Sequence, residues 1–300
     1  MAKQNYQTET LNACGLYPEH ISIEEWDNIA GMEREKQLIE SKILLPLLNH
    51  ELAKKHGVST PKVLLLFGPP GTGKTSFARG IASKLGWSFI EVSPSQLICD
   101  GLDKQAFWLR TVFGELQGVD KAVIFFDEFE QMALRPDQAS PVERMVSSEM
   151  LRQLPRFRTQ EEVLLVCATN NIKIINPALL RVGRFDYILP IGAINAQERQ
   201  EVFSLYLKHM NTGEIDLGLI AQRAERYTPA DIEAVCTNAA QSAFEKETTL
   251  GSDYKLGTED LLQALENHKA TISEEDLGRF QEDIDQFCRA DYCRLLLEDE

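Results

Sequence analysis

The sequence lacks several features that define whole classes of protein. No apolar run approaches the ~18 residues that a membrane-spanning helix needs, and the first residues are polar rather than the apolar core of a secretory signal. No His-Glu-x-x-His motif is present, so the chain carries no metalloprotease signature. We therefore expect a soluble, cytoplasmic protein without a membrane partner.

The chain also has fewer basic than acidic residues. Lys and Arg number 31 against 46 Asp and Glu, which gives a formal net charge of −15 at pH 7 and argues against generic binding to nucleic acid. The six cysteines show no Cys-x-x-Cys spacing and no finger-like histidine partners, so we interpret them as thiols of a reducing compartment. What the chain does have is a globular composition, because 43% of its 300 residues are hydrophobic.

The most informative stretch follows an apolar run at 63–67. It reads GPPGTGKT over residues 68–75 and fits the pattern G-x-x-x-x-G-K-[ST] at every position. The flanking pattern is strand before it and amphipathic helix after it, which disfavours a simple turn. Glycines let backbone N–H groups surround phosphate oxygens, Lys74 can reach the β- and γ-phosphates, and Thr75 can ligate Mg²⁺. The stretch therefore predicts a nucleotide site, and no Asn-Lys-x-Asp element for guanine accompanies it.

Polar residues follow two further predicted strands. Asp127 and Glu128 come directly after the apolar run at 122–126. We expect Asp127 to hold Mg²⁺, directly or through water, and Glu128 to act as general base on the attacking water. Asn170 follows the next strand and could orient that water, with an ordinary Asn-Asn turn as the open alternative.

Two arginines, Arg181 and Arg184, flank Gly183. Positive charge at the γ-phosphate assists phosphoryl transfer, so the pair could act on the site of a neighbouring subunit. Spacing alone favours the alternative, in which both arginines form surface salt bridges.

The order of the elements predicts an α/β fold. Five strands alternate with helices, which is typical of a parallel sheet with helices on both faces and ligand at the carboxyl ends of the strands. From about residue 194 only helical patterns remain. We predict an N-terminal extension (1–22), a large α/β nucleotide-binding domain (23–192), a small all-helical lid (193–270) and a C-terminal helix with an acidic tail (271–300).

Together the motifs GPPGTGKT, FFDE, ATN and RVGRFD resemble those of the AAA clade of the AAA+ ATPases, over residues from about 26 to about 287. The resemblance implies Mg·ATP hydrolysis by a homo-oligomeric ring, a hexamer in the family, that remodels protein substrates. It also implies that Arg181 and Arg184 are arginine fingers and that Asn170 is the sensor-1 residue. The implied nucleotide contacts are Asn28, Ile29, Ala30, Pro70, Gly71, Thr72, Gly73, Lys74, Thr75, Ser76, Tyr206 and Ala230.

The chain also departs from the family pattern. The family's first pore loop carries an aromatic residue that grips polypeptide, whereas residues 93–104 contain none. A second hypothesis is therefore a regulatory or scaffolding module that uses ATP to assemble and dock on a partner without threading. A third, a nucleic-acid motor, is disfavoured by the net charge of −15.

Overall fold

Apolar runs form the strands of a central sheet. The structure, a computed structural model, describes residues 10–94, 104–160, 162–251 and 253–288. Within them the strands are β1 (Glu19–His20), β2 (Val63–Phe67), β3 (Ser88–Val92), β4 (Ala122–Phe126), β5 (Val163–Thr169) and β6 (Tyr187–Pro190). The order across the sheet is β1-β3-β4-β5-β2-β6, and all pairs among β2–β6 are parallel. The predicted five-stranded parallel sheet with a helical lid is therefore confirmed, with one strand added.

The added strand, β1, pairs antiparallel with β3 at the edge of the sheet. It has only two residues, both exposed, so it leaves no periodic signal in the sequence. Nearby, Leu11 and Leu16 are 2% and 0% exposed and belong to the core of the large domain. The described part of the N-terminal extension thus packs on the large domain.

Helices cover both faces of the sheet and build the lid. Their bounds are α1 (Glu33–Ile39), α2 (Leu45–Leu48), α3 (His50–Lys55), α4 (Lys74–Leu85), α5 (Gln105–Leu116), α6 (Pro141–Phe157), α7 (Ala196–Leu207), α8 (Leu217–Arg223), α9 (Pro229–Leu250), α10 (Thr258–Glu266) and α11 (Glu274–Phe287). A π-helical turn, Glu40–Leu44, joins α1 to α2. Pro46 occupies the first turn of α2, where its missing N–H is tolerated, and the helical run is interrupted at Asn49, between α2 and α3.

Alternate strand residues enter two separate cores. Leu64 and Leu66 of β2 face the core shared with α1 and α4, and that core continues into the lid. Leu65 and Phe67 face the core shared with α5 and α6. Because the first core runs into the lid, the phosphate loop after β2 lies beside the junction of the two domains.

Helix α11 returns from the lid to the large domain. It begins at a capping box in which Ser273 accepts a hydrogen bond from the Asp276 N–H. The Phe280 ring lies 5.8 Å from the Phe67 ring, centroid to centroid, and fits against the glycines at 68 and 192. Lys173, just after β5, pairs with two carboxylates of α11. The helix is thus bound to the start of the phosphate loop and to the segment that follows β5.

The sequence predicts that the cysteines are thiols, and the structure describes the state of four of them. Cys14, Cys167 and Cys236 are free thiols, and burial raises the pKa of Cys167 well above its usual value. Cys288 is disulfide-bonded, so its interpretation as a thiol is wrong. Within the described ranges, no helix combines the length and apolarity needed to cross a membrane.

The fit of Phe280 against Gly192 generates a stability prediction. A Cβ added at Gly192 would lie 2.5 Å from Phe280 Cε1, so Gly192→Ala should destabilise the chain by about 1–3 kcal/mol through overpacking. Urea unfolding measures the change. The matched control is Gly278→Ala on α11, where the added methyl meets no atom within 4 Å and should stabilise by roughly 0.5–1 kcal/mol. An unchanged unfolding midpoint for Gly192→Ala would contradict the packing.

Candidate active site

A cleft of about 330 Å³ lies between the carboxyl ends of the strands and the lid. A larger cavity, of about 580 Å³, lies on the lid around Arg223 and Glu259 and has no glycine loop. The lining of the smaller cleft combines the phosphate loop, the ends of β4 and β5, and the lid helices α7 and α9. Its residues are Pro70, Gly71, Gly73, Lys74, Thr75, Ser76, Asp127, Glu128, Asn170, Tyr206, Pro229, Ala230 and Glu233.

The phosphate loop has the backbone conformation that its glycines permit. Gly71 and Gly73 have φ angles of 77° and 95°, a region that side chains with a Cβ rarely adopt. At Gly71 a Cβ would also lie 2.8 Å from Thr228 Oγ1 of the lid. Thr72 is fully buried, with its hydroxyl 3.0 Å from Pro69 O and 2.9 Å from Ile191 O. The Thr72 side chain therefore braces the loop, while its neighbours line the cleft.

Lys74 is buried at the base of the cleft. Its Nζ donates hydrogen bonds to the carbonyl oxygens of Gly68, at 2.9 Å, and Pro69, at 2.7 Å. Burial lowers the pKa of Lys74 to about 8, although the charges of Asp127 and Glu130 act in the opposite direction. An anionic ligand would raise this pKa again, because added negative charge favours the protonated form.

Asp127 and Glu128 end β4 as the sequence predicts. Asp127 Oδ1 accepts a hydrogen bond from the Glu128 N–H at 2.8 Å. Glu128 has a left-handed backbone, with φ 45°, a conformation that is costly for a non-glycine residue and common at functional sites. Gln131 donates a hydrogen bond to Glu128 Oε2 at 2.7 Å and so fixes the carboxylate at the mouth of the cleft.

Asp127 and Thr75 line the same cleft and could together hold a divalent cation. A carboxylate and a hydroxyl match the oxygen preference of Mg²⁺, which usually keeps several waters and takes further ligands from phosphates. The donor set therefore fits Mg²⁺ bound with a nucleotide.

Asn170 lies at the end of β5, opposite a carboxylate that sequence reasoning missed. Its N–H is 3.4 Å from Glu130 Oε1. Glu130 Oε2 is buried and has no hydrogen-bond partner among the described residues. Glu130 follows Glu128 by two residues and is directed inward by the turn at Phe129–Met132, so no local sequence pattern selects it.

Neither arginine of the predicted pair lines this cleft. Arg184 donates a hydrogen bond to the carbonyl oxygen of Leu151 at 2.7 Å. Arg181 is exposed and borders a different cavity with Arg135 and Phe287. The structure thus directs both arginines away from the phosphate loop of their own chain.

The predicted base-binding residues separate into two groups. Tyr206 and Ala230 line the cleft, next to Glu233, which the sequence reasoning missed although it follows Ala230 at helical spacing. Asn28, Ile29 and Ala30 do not line it. Ile29 is buried beside Gly80 of α4, and Asn28 is exposed.

The depressed pKa of Lys74 predicts a pH dependence of stability. Without nucleotide, the folded chain releases this proton near pH 8 and the unfolded chain near 10.5, so stability should rise across that interval and stay lowest below it. A shift of this size corresponds to at most about 3 kcal/mol. Urea unfolding from pH 7.5 to 10.5 should show the rise in the wild type and lose it in Lys74→Met. Lys54→Met, at an exposed position of α3, should retain the rise; a rise that persists in Lys74→Met would refute the assignment.

Comparison with known proteins agrees with this architecture. Residues 64–193 match the ATPase family associated with various cellular activities (AAA), and residues 214–253 match the AAA+ lid domain. The proteasome-activating nucleotidase of Methanococcus vannielii is 36% identical over 242 residues, which cover 79% of this chain and 58% of that protein. The cell division cycle protein 48 homolog of Archaeoglobus fulgidus is 30% identical over 266 residues, which cover 84% of this chain and 36% of that protein.

A solved structure extends the agreement to the fold. The crystal structure of the FIGL-1 AAA domain superposes with a TM-score of 0.77 at 24% identity and covers 91% of this chain and 92% of that one. The chain thus spans less than two thirds of the two curated relatives described above, but nearly all of a solved AAA domain. The two family matches, the order of the motifs and the P-loop sheet with its helical lid show that the chain belongs to the AAA clade of the AAA+ ATPases.

Proposed function

We propose that the chain hydrolyses Mg·ATP in this cleft as a subunit of a ring that remodels protein substrates or complexes. The family resemblance implies that this ring is a hexamer. One observation carries the proposal: among the described residues that line the cleft, Lys74 is the single cation. Charge stabilisation at the γ-phosphate commonly requires a second cation, which can be supplied in trans. Arg181 is exposed and outside its own cleft, so it is available to a neighbour.

In the proposed reaction each residue has one task. Backbone N–H groups of the loop and the start of α4 receive the phosphates, and Lys74 exchanges its carbonyl partners for phosphate oxygens. Mg²⁺, held by Thr75 and Asp127, would neutralise developing charge. Glu128 accepts the proton of the attacking water, and Asn170 orients that water from the adjacent strand.

Two substitutions test this assignment. Glu128→Gln should keep ATP binding and lose about 10²–10⁴-fold in turnover, because the amide cannot accept the proton. Lys74→Ala should lose ATP binding itself. Binding is measured by calorimetry and turnover by phosphate release. Glu162→Gln, beside the opposite end of β5, serves as the matched control and should behave as wild type. Near-normal turnover by Glu128→Gln would mean that the general base lies elsewhere.

Assembly into a ring predicts complementation between variants. Arg181→Ala should lose at least about 10³-fold in turnover. Mixed with Glu128→Gln subunits, it should recover activity at about a quarter of the interfaces, where an intact cleft meets an intact arginine. Light scattering on the mixture checks that the two variants assemble together. Co-assembly without any recovered turnover would rule out Arg181 as a finger.

A protein substrate or partner is favoured over nucleic acid. The name of the proteasome-activating nucleotidase describes action on a protein complex, and the net charge of −15 opposes nucleic-acid binding. The cytoplasmic location stays a prediction from the sequence.

The alternative function, a module that assembles and docks without threading, rests on the sequence of the pore-loop segment. Phe107 and Trp108 lie on α5, and most of residues 93–104 lies outside the described ranges. Stimulation of turnover by an unfolded polypeptide distinguishes the two, because only a threading ring responds to it.

A further inference from the structure

The lid contributes one acidic side chain to the cleft, and neither the phosphates nor Mg²⁺ explains it. Glu233 is exposed and lies on α9, among residues that line the cleft. The Tyr206 hydroxyl of α7 donates a hydrogen bond to Glu233 Oε2 at 3.2 Å. Burial, together with the charge of Glu233, raises the pKa of Tyr206 to about 12, so this hydroxyl remains a donor at neutral pH. Glu233 is therefore held in place by the opposite lid helix.

The position of Glu233 follows from the contact between α9 and the phosphate loop. The Ala230 N–H lies 3.4 Å from the carbonyl oxygen of Gly71. Glu233 is three residues further along the helix, so it lies on the same face about one turn away. A ligand whose phosphates occupy the loop would meet Ala230 first and Glu233 next.

The residues at this end of the cleft favour a ligand group that donates hydrogen bonds. Pro229, Ala230 and the Tyr206 ring offer apolar surface, which suits the carbons of a sugar or the face of a base. An ionised carboxylate only accepts hydrogen bonds, and it repels the phosphate charges unless a ligand donor compensates. A nucleotide carries such donors on the hydroxyls of its ribose and on the amine of adenine.

We propose that Glu233 is a specificity-determining residue that recognises the ribose hydroxyls of the bound nucleotide. The ribose is joined directly to the α-phosphate, whereas the amine is at the far edge of the base. The position of Glu233, one helical turn from the contact between Ala230 and Gly71, therefore corresponds to that of the sugar. With Oε2 occupied by Tyr206, Oε1 can accept from a hydroxyl, as acidic residues do in dinucleotide-binding folds.

The inference rests on the proposed function, because it assumes that ATP binds in this cleft. Calorimetry on the full chain would compare ATP, 2′-deoxy-ATP, 3′-deoxy-ATP and purine riboside triphosphate, which lacks the amine. Wild type should bind at least one deoxy analogue about tenfold more weakly than ATP, since a charged hydrogen bond is lost. Glu233→Ala should bind ATP about tenfold more weakly and should no longer distinguish it from that analogue.

Two further variants sharpen the test. Glu233→Gln keeps an acceptor oxygen and should retain part of the discrimination. Glu245→Ala removes the same charge from an exposed position of α9 and should discriminate as wild type does.

Each contrary outcome has a distinct meaning. If wild type binds ATP but does not distinguish it from either deoxy analogue, the ribose inference is wrong and the proposed function stands. The same conclusion follows if Glu233→Ala still discriminates fully. If Glu233→Ala loses discrimination only against the nucleotide without the amine, Glu233 contacts the base, and the ribose assignment is wrong. Failure of wild type to bind ATP removes the proposed function, and the inference with it.

Discussion

One buried carboxylate, Asp231, organises the side of the cleft that the lid supplies. It is 3% exposed and accepts hydrogen bonds from the backbone and hydroxyl of Thr228, from His268, and from the backbone and hydroxyl of Thr271. Burial alone would raise the pKa of Asp231, but these donors outweigh it and the pKa is lowered. The carboxylate thus binds the start of α9 to the segment that leads into α11. Without it, Thr228 and Ala230 would lose their fixed position against Gly71.

The functional side chains of the cleft already have partners within the chain. Lys74 is bound to loop carbonyls, Glu128 to Gln131, and Tyr206 to Glu233. Nucleotide binding must therefore exchange hydrogen bonds rather than add them, and the net gain from each exchange is small. Affinity then depends on the charge of the phosphates, on Mg²⁺ and on the ordering of the lid, which agrees with the placement of the groups at a domain junction.

The sequence predicts those parts of the site that depend on residues close together in the chain. The phosphate loop and the acids after β4 were identifiable because an apolar strand, a glycine turn and a helix each leave a local pattern. Glu130 and Glu233 were not, because their inward positions depend on a short turn and on the docking of α9. The edge strand β1 was missed for a similar reason, since two exposed residues are too few for a periodicity.

The return of α11 constrains how the lid can move. The lid joins the large domain covalently after Gly192, and it touches it again where Phe280 packs on Phe67 and Lys173 pairs with Glu282. Together with the contact between Ala230 and Gly71 and the core that continues into the lid, these attachments restrict the directions in which the lid can turn. Any rearrangement of the phosphate loop would displace one of these attachments, since Phe280 lies against Gly68. A change at the phosphate loop would then reach the lid through α11 as well as through the chain after Gly192.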